Sequence, residues 1–187
     1  MTPTEPAATR DKERTRRAIL DAAGRMLSEH GSKASLGEIA KAAGVTQSGL
    51  RHHFPSRDAL LYGLVEDTIE RMWAEIHAHV DLSENRPGKL LRGYVRAVTG
   101  ENDLVAAVLD PTGLGATIGN PPGVEELFAR DAERWRAALR ADGLPEARVL
   151  VVQHAAEGLA VARSSPYLTE AELAVARAEL LAMTEPA

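Results

Sequence analysis

The chain has 187 residues, of which 44% are apolar, 4% are aromatic and none is cysteine. This composition favours closely packed helices over a sheet, and it excludes disulfides, thiol catalysis and cysteine-based zinc sites. The N-terminal stretch lacks the apolar segment of a signal peptide, and no apolar run is long enough to span a membrane, so we expect a cytoplasmic protein without a membrane partner.

Charge is distributed unevenly along the chain. The net charge of −5 would by itself argue against binding to nucleic acid. Up to Arg57, however, ten Lys or Arg residues stand against six Asp or Glu residues, a net of +4, while the remainder has 12 against 21, a net of −9. A basic first third followed by an acidic remainder is typical of a DNA-binding module joined to a body that stays off DNA.

The chain opens with a segment, residues 1–9, that contains two prolines and small polar residues, which predicts a disordered arm. A first helix is predicted to follow and to end at Gly31. Its start carries the basic residues Arg10, Lys12, Arg14, Arg16 and Arg17. These side chains either contact phosphates or a minor groove, or they form an ordinary solvated helix end, and the sequence leaves both interpretations open.

The next helix start is encoded by a capping box. Ser35 and Glu38 have the S-x-x-E spacing, in which each side chain accepts a hydrogen bond from the other residue's backbone amide. An apolar stripe with three- and four-residue spacing follows, formed by Leu36, Ile39, Ala40 and Ala43. The segment therefore predicts a short amphipathic helix.

A tight turn and a second short helix follow directly. Gly44 can adopt the positive φ that ends a helix, and the hydroxyl of Thr46 can cap the next one. The small residue Ala40 permits a close helix crossing, and Leu50 would fill the angle between the two helices. This spacing indicates a helix-turn-helix, whose second helix enters the major groove. A tight helical corner in an unrelated all-α protein is the alternative.

The segment resembles the DNA-binding core of the TetR/AcrR-like (tetracycline-repressor) family of transcriptional regulators. The residues that carry the resemblance are Gly44, Val45, Thr46, Gln47, Ser48, Leu50, His53, Phe54, Ser56, Arg57, Asp58 and Leu60. One departure is Arg51, which stands where the family usually has a tyrosine, so that a charged phosphate contact would replace a phenolic one. The resemblance implies an all-α chain with an N-terminal three-helix DNA-binding domain, residues 10–56 (about 12–72 in the family's terms), and a helical ligand-binding and dimerisation domain, residues 57–187.

The second short helix is expected to contact DNA along its exposed face. Hydroxyl and amide side chains in its first turn can bind base edges, and Arg51 can bind guanine or phosphate. A metal site at the adjacent His52 and His53 is disfavoured, because neighbouring side chains diverge by about 100° on a helix. The full set of candidate DNA-binding residues is Ser35, Lys41, Thr46, Gln47, Ser48, Gly49, Arg51, His52, His53 and Arg57.

Further helices are predicted beyond Ser56, which can cap a long helix that ends near Val80. After a loop at residues 81–88, helices are predicted at 89–98, 104–109 and 124–141. The glycine- and proline-rich stretch 111–123 could resemble a nucleotide-binding loop, but no strand precedes it. A mobile loop over a pocket mouth is the preferred interpretation.

Two apolar helices are predicted near the end of the chain, one from Leu150 to Ala162 and one that begins at Thr169 or Ser165. Their small residues suit close packing against other helices. Burial within one chain is possible, but we favour a four-helix dimer interface across a two-fold axis. Its candidate residues are Val151, His154, Ala155, Gly158, Ala162, Leu173 and Leu180.

The sequence contains no catalytic motif, so we expect neither an enzyme nor a cofactor or metal. The resemblance implies a homodimeric repressor that a small-molecule effector releases from a palindromic operator. Candidate effector-binding residues are Met72, Trp73, His77, Tyr94, Val98, Phe128 and Trp135. Because few of them are charged, an apolar or weakly polar effector is expected. An ordinary core role for Trp73 is equally compatible with the sequence.

Two other functions stay open at this point. The first is a ligand-independent or architectural DNA-binding protein whose C-terminal half only dimerises. Such a protein would bind DNA with little sequence preference, whereas a repressor must discriminate its operator by several kcal/mol. The second is a ligand-carrying helical protein with a vestigial DNA-binding segment, which the basic first third disfavours.

Overall fold

A computed structural model of the chain describes residues 7–109 and 114–185, in which all regular structure is helical. The predicted all-α class is therefore confirmed. In these ranges a 3₁₀ turn at Gly31–Lys33 accompanies the α-helices α1 (Ala7–His30), α2 (Leu36–Ala42), α3 (Gln47–His53), α4 (Arg57–Ala78), α5 (Lys89–Val98), α6 (Asp103–Leu109), α7 (Leu114–Ile118), α8 (Val124–Ala141), α9 (Glu146–Ala162) and α10 (Glu170–Met183). None of these helices is both long and apolar enough to cross a membrane.

Two capping boxes fix helix starts, one at the predicted Ser35 and one at Thr169, which the sequence offered beside Ser165. At α2, Ser35 Oγ accepts from the Glu38 amide at 3.2 Å, and Glu38 Oε2 accepts from the Ser35 amide at 2.9 Å. Thr169 and Glu172 repeat the arrangement with the same two distances at the start of α10. These hydrogen bonds from the cap lower the pKa of both glutamates. Local sequence alone therefore determines where these two helices begin.

Other helix bounds differ from the predictions. Residues 1–6 of the predicted arm lie outside the described residues, and residues 7–9 are already helical in α1. Within the predicted loop 111–123, α7 forms where the apolar side chain of Ile118 is buried, and α7 packs beside α1 and the 3₁₀ turn. Helix α9 begins at Glu146 rather than Leu150, because Pro145 at its N-cap has the backbone angle that a helix start requires.

The described residues fall into two compact units. The first lies within Met1–Asp67 and Thr112–Glu125, and the second within Thr68–Pro111 and Glu126–Ala187. The first unit reaches Asp67, between residue 56, where the sequence placed the end of the DNA-binding domain, and about residue 72, its end in the family's terms. Helix α4 contributes its N-terminal part to the first unit and its C-terminal part to the second.

The first unit is built on α1, α2 and α3, which pack against one another through apolar side chains. Its most deeply buried residues are Ile19, Leu20, Ala22, Ala23, Leu27, Ile39, Ala40, Leu50 and Leu60. Helix α1 supplies more than half of this set, so it acts as the support on which the two short helices rest. The predicted three-helix arrangement is confirmed.

The second unit has its own apolar core, to which α4, α5, α6, α8, α9 and α10 contribute. Beside this core Arg92 is 1% exposed, and its guanidinium donates to Glu84 Oε2 at 2.7 Å and to the backbone oxygens of Thr184 at 2.8 Å and Pro87 at 3.0 Å. The Arg92 contact also lowers the pKa of Glu84. Burial of this charge is tolerated because each of the three guanidinium nitrogens donates one hydrogen bond, and the bond to Thr184 fastens α5 to the end of α10.

Candidate functional site

The turn between α2 and α3 is held by backbone and cap hydrogen bonds. Gly44 has φ of +70°, and the amide of Val45 donates to the Ala40 carbonyl oxygen at 3.0 Å. Thr46 Oγ1 then accepts from the Gly49 amide at 3.0 Å, which caps α3. Leu50 is fully buried between the helices. The angle of α3 is therefore set by contacts within the first unit, as the spacing predicted.

The outer face of α3 is exposed, which is what a recognition helix requires. Thr46, Gln47, Ser48, Arg51 and His52 are all exposed, whereas Gly49 is half-buried. In the described part of the chain, the side chains of Gln47, Ser48 and Arg51 make no hydrogen bond or ion pair. Their donors and acceptors are thus available for base edges and phosphates. Lys41 on α2 is exposed as well.

Two predicted DNA-binding residues also have structural roles within the chain. The Arg57 guanidinium donates to the backbone oxygens of Ala34 at 2.5 Å and Ser32 at 3.1 Å, and so holds the segment that precedes α2. The Ser35 hydroxyl both donates to and accepts from Glu38 in the capping box. The sequence does not show which distant backbone oxygens a side chain reaches, and a DNA contact by either residue stays a prediction.

His53 lies at the inner edge of α3, half-buried. Burial lowers its pKa, and the positive charges of His52, Lys12 and Arg16 lower it further. The rings of His52 and His53 are 87° apart in orientation, and the described residues contain no cluster of three or more metal-ligating side chains. His53 is therefore neutral at neutral pH, and its predicted contact with DNA stays a prediction.

Four of the predicted effector-binding residues form one aromatic cluster in the second unit. Trp73 and Trp135 are stacked, with ring centroids 3.7 Å apart and an interplanar angle of 13°. His77 stacks on Trp73 at 5.5 Å, and Tyr94 meets Trp135 edge-on at 5.6 Å. Met72 is half-buried against the same core, and Val98 is buried. Phe128 lies apart from this cluster, since its side chain is 53% exposed and makes no ring contact with it, and its role in effector binding stays a prediction.

Acidic side chains border the aromatic cluster. Trp73 Nε1 donates to Asp131 Oδ1 at 2.7 Å, and the Tyr94 hydroxyl donates to Glu157 Oε1 at 2.5 Å. Burial, together with Glu157, raises the pKa of Tyr94. Sequence reasoning missed both acids, although the four-residue spacing from Asp131 to Trp135 places them on one face of α8 and could have revealed the first.

A cavity of about 420 Å³ lies beside the buried Val98, away from the stacked tryptophans. Its other lining residues are Gly100, Glu101, Asn102, Val105, Ala160 and Arg163. Arg163 donates to the Gly100 carbonyl oxygen at 2.5 Å and lies 3.4 Å from Glu101 Oε1. Of the predicted effector-binding residues, Val98 alone lines this space.

The predicted dimer residues divide into two groups. Val151 is 55% exposed, His154 and Gly158 are exposed, and Ala155 and Ala162 are half-buried. Leu173 and Leu180 are a correction, because they are 5% and 7% exposed and pack inside the protomer. The sequence stripe on α10 was assigned to the wrong face. Apolar residues that the prediction missed are exposed nearby in the sequence, namely Leu150, Val161 and Val175.

Comparison with known families explains this architecture. Residues 19–63 match the family of bacterial regulatory proteins described as the tetR family, and residues 88–185 match the tetracyclin repressor-like C-terminal domain. The chain belongs to the tetR family. The resemblance drawn from α2, α3 and the turn between them is thereby confirmed, and it extends to the half of the chain where the sequence pattern was weakest.

Individual tetR-family relatives support the assignment. The chain is 37% identical over 98 residues to the HTH-type transcriptional repressor LfrR of Mycolicibacterium smegmatis, covering 52% of this chain and 49% of that protein. The AcrR regulator of Shigella flexneri is 36% identical over 92 residues, 49% of this chain and 36% of AcrR. The alignments thus span about half or less of these relatives' lengths.

Solved structures share the fold over nearly the whole chain. The LfrR structure from Mycobacterium smegmatis, solved with proflavine, has 27% identity and a TM-score of 0.53, and covers 93% of this chain and 98% of LfrR. A transcriptional regulator from Rhodococcus sp. Rha1 has 22% identity and a TM-score of 0.65, with coverage of 92% and 95%. The second likeness concerns the fold alone.

Proposed function

We propose that this chain is a transcriptional repressor that binds a palindromic operator as a homodimer and leaves it when a small molecule binds the second unit. The observation that carries the proposal is the exposed outer face of α3, where Gln47, Ser48 and Arg51 have no side-chain partner among the described residues, on a buried support. A helix presented in this way can enter a major groove with its polar side chains towards the bases. Its setting in the basic third of the chain favours DNA as the partner.

The dimer is proposed to form through the exposed apolar face of α9 and α10. Leu150, Val151 and Val161 on α9 are each between 43% and 55% exposed, and Val175 on α10 is 72% exposed. No atom lies within 4 Å of a Cβ added to Gly158, so a second helix can approach its backbone closely. Joining two copies here would bury this apolar surface, which is the usual driving force for permanent interfaces.

The effector is proposed to bind at the aromatic cluster of the second unit. Trp73 lies on α4, the helix whose N-terminal part belongs to the DNA-binding unit. Because α4 continues into the first unit, a shift of α4 at the effector site can be transmitted along the helix to the DNA-binding residues. The effector can weaken DNA binding only by the difference between its affinities for the two states of the protein. The relative LfrR, solved with proflavine, is a precedent for a small-molecule ligand.

A DNA-binding titration tests this function. Labelled DNA from upstream of the chain's own gene is titrated with protein, beside a scrambled duplex of equal length, and binding is followed by fluorescence anisotropy. Specific binding as a dimer, with half-sites about 34 Å apart or a multiple of it, is the expected result. Equal affinity for the scrambled duplex would overturn the repressor proposal in favour of an architectural protein.

Effector release needs a separate arm of the experiment. The protein–operator complex is challenged with small molecules that include the metabolites of the neighbouring genes, and loss of anisotropy is measured. We expect at least one compound to release the operator from the wild-type chain. A complex that resists every compound, including the flat cations considered below, would contradict the ligand-released part of the proposal.

A further inference from the structure

The two faces of the Trp73 ring are covered by different groups. The Arg134 guanidinium carbon lies 4.0 Å from the Trp73 ring centroid, and the Trp135 centroid lies 3.7 Å from it. Two planar groups cannot both stand that close over the same face, so Arg134 and Trp135 must lie on opposite faces. Trp73 is only 4% exposed because of this enclosure. One face of the indole therefore already holds a flat cation, supplied by the chain itself.

Carboxylates complete the surroundings of that flat cation. Arg134 Nη1 donates to Glu70 Oε1 at 2.6 Å, which makes Glu70 its counter-ion. Asp131 Oδ1 accepts from Trp73 Nε1 at the edge of the same ring and forms no ion pair among the described residues. The seat consisting of the Trp73 face, Glu70 and Asp131 thus has two negative charges for the one positive charge of Arg134.

Arg134 is held at this seat only weakly. Its side chain is 47% exposed and that of Glu70 is 61% exposed, so solvent screens their ion pair. A guanidinium also covers less of an indole face than a fused aromatic ring does. A ligand with a flat ring and a positive charge would therefore gain stacking area and keep the same counter-ion.

We propose that Arg134 occupies the seat of the effector, and that the effector of this chain is a flat aromatic cation that displaces Arg134 from the face of Trp73. This inference rests on the proposed function, in that it names the class of ligand that the second unit takes. Arg134 lies on α8, whereas Trp73 and Glu70 lie on α4. Displacement of Arg134 breaks its contacts from α8 to α4. The ligand-bound and ligand-free states then differ in how these two helices are joined, and operator release requires such a difference between states.

A fluorescence titration tests the seat directly. The chain contains two tryptophans, and both belong to the stack, so a ligand that stacks on Trp73 should quench the tryptophan emission, and the variants below locate its site. Proflavine is the flat cationic probe and 2-naphthoate the flat anionic one. We expect proflavine to quench the emission saturably and 2-naphthoate to do so at least about tenfold more weakly, because the carboxylates of Glu70 and Asp131 repel an anion.

Variants of exposed residues separate the seat from general effects on folding. In Arg134→Ala the internal cation is gone, and proflavine should bind about threefold or more tightly. In Glu70→Gln the counter-ion is gone, and the probe should bind about threefold or more weakly. The matched control is Arg140→Ala, because Arg140 is an exposed arginine on the same helix that pairs with Glu133 instead. Its affinity for proflavine should equal that of the wild type.

Unchanged or weakened proflavine binding in Arg134→Ala would overturn the inference, as would equal affinity for 2-naphthoate. The operator titration distinguishes this failure from that of the proposed function. An operator complex that is specific and is released by an uncharged compound, but not by proflavine, rejects the flat-cation class and leaves the repressor intact. Because proflavine also binds DNA, release is compared between wild type and Glu70→Gln, and only the difference between them supports the seat.

Discussion

The ring of Phe54 packs directly against the backbone of Gly63, so closely that a Cβ atom added to Gly63 would lie 2.7 Å from Cε1 of Phe54. Phe54 ends α3 and is 3% exposed, and Gly63 is buried in α4. The Arg16 guanidinium lies over the Phe54 ring, with its central carbon 5.2 Å from the ring centroid. Phe54, at the end of the recognition helix, therefore packs into a space that is open because Gly63 has no side chain.

Gly63→Ala should destabilise the first unit and weaken operator binding. Alanine gains about 1 kcal/mol in helix propensity, but overpacking a core typically costs about 1–3 kcal/mol, so the clash with Phe54 prevails. Thermal unfolding followed by circular dichroism measures the change. Gly24→Ala is the matched control, since its added Cβ would have only an ordinary contact at 3.8 Å with Leu64, and it should stabilise the protein. A higher melting temperature for Gly63→Ala would contradict this packing argument.

Arg51→Ala and Arg57→Ala should separate DNA contact from stability. Arg51 is exposed and has no partner in the described part of the chain, so its loss should reduce operator affinity about tenfold or more and leave the melting temperature unchanged. Arg57 holds two backbone oxygens, so its loss should cost about 1–3 kcal/mol of stability. Anisotropy titrations and thermal melts of both variants provide the comparison. A marked loss of stability in Arg51→Ala would mean that this side chain has a structural role.

Val151→Glu should dissociate the proposed dimer. The side chain is 55% exposed on the apolar face of α9, and two copies of a new charge would have to be buried at the two-fold axis. Light scattering should then give the mass of one chain at micromolar concentration. Leu82→Glu is the control, because Leu82 is 82% exposed outside α9 and α10, and it should leave the mass unchanged. If Val151→Glu still has the mass of a dimer, the interface does not include this face of α9.

The first unit should lose stability as the pH falls below about 6.5, through His53. Burial and the charges of His52, Lys12 and Arg16 lower the pKa of His53 from its ordinary value of 6.5, so the unfolded chain binds the proton more tightly than the folded one. The contribution of neutral His53 to the free energy of unfolding is complete above the pKa of His53 in the unfolded chain. It is lost as the pH falls through the pKa of His53 in the folded chain. Chemical unfolding at several pH values measures this slope. His53→Gln should flatten it, and an unchanged slope would assign the effect to other groups.

Features that depend on neighbouring residues were predictable from the sequence. The capping box at Ser35, the turn glycine Gly44 and the buried Leu50 all lie where the pattern placed them, and the last helix begins at Thr169, one of its two predicted starts. Each of these contacts joins residues only a few positions apart. Local geometry therefore determines them before any tertiary packing exists, which is why the helix-turn-helix was identified most completely.

Features that depend on distant partners were not predictable. Arg57 binds backbone oxygens 23 and 25 positions away, and Arg92 binds one 92 positions away. Leu173 and Leu180 lie on the inner face of α10 because α5 and α9 pack there, a choice that helical periodicity alone does not make. The contacts of Asp131 with Trp73 and of Glu70 with Arg134 have the same origin, because they form only after α4 and α8 pack.

The placement of both tryptophans on one stack also affects how the folding of this protein can be followed. Because Trp73 and Trp135 both belong to the second unit, their emission does not report the unfolding of the DNA-binding unit. Circular dichroism, in contrast, measures the helix content of both units. Superimposable curves from the two signals would show that the units unfold in a single cooperative transition, and separated curves would give each unit its own midpoint.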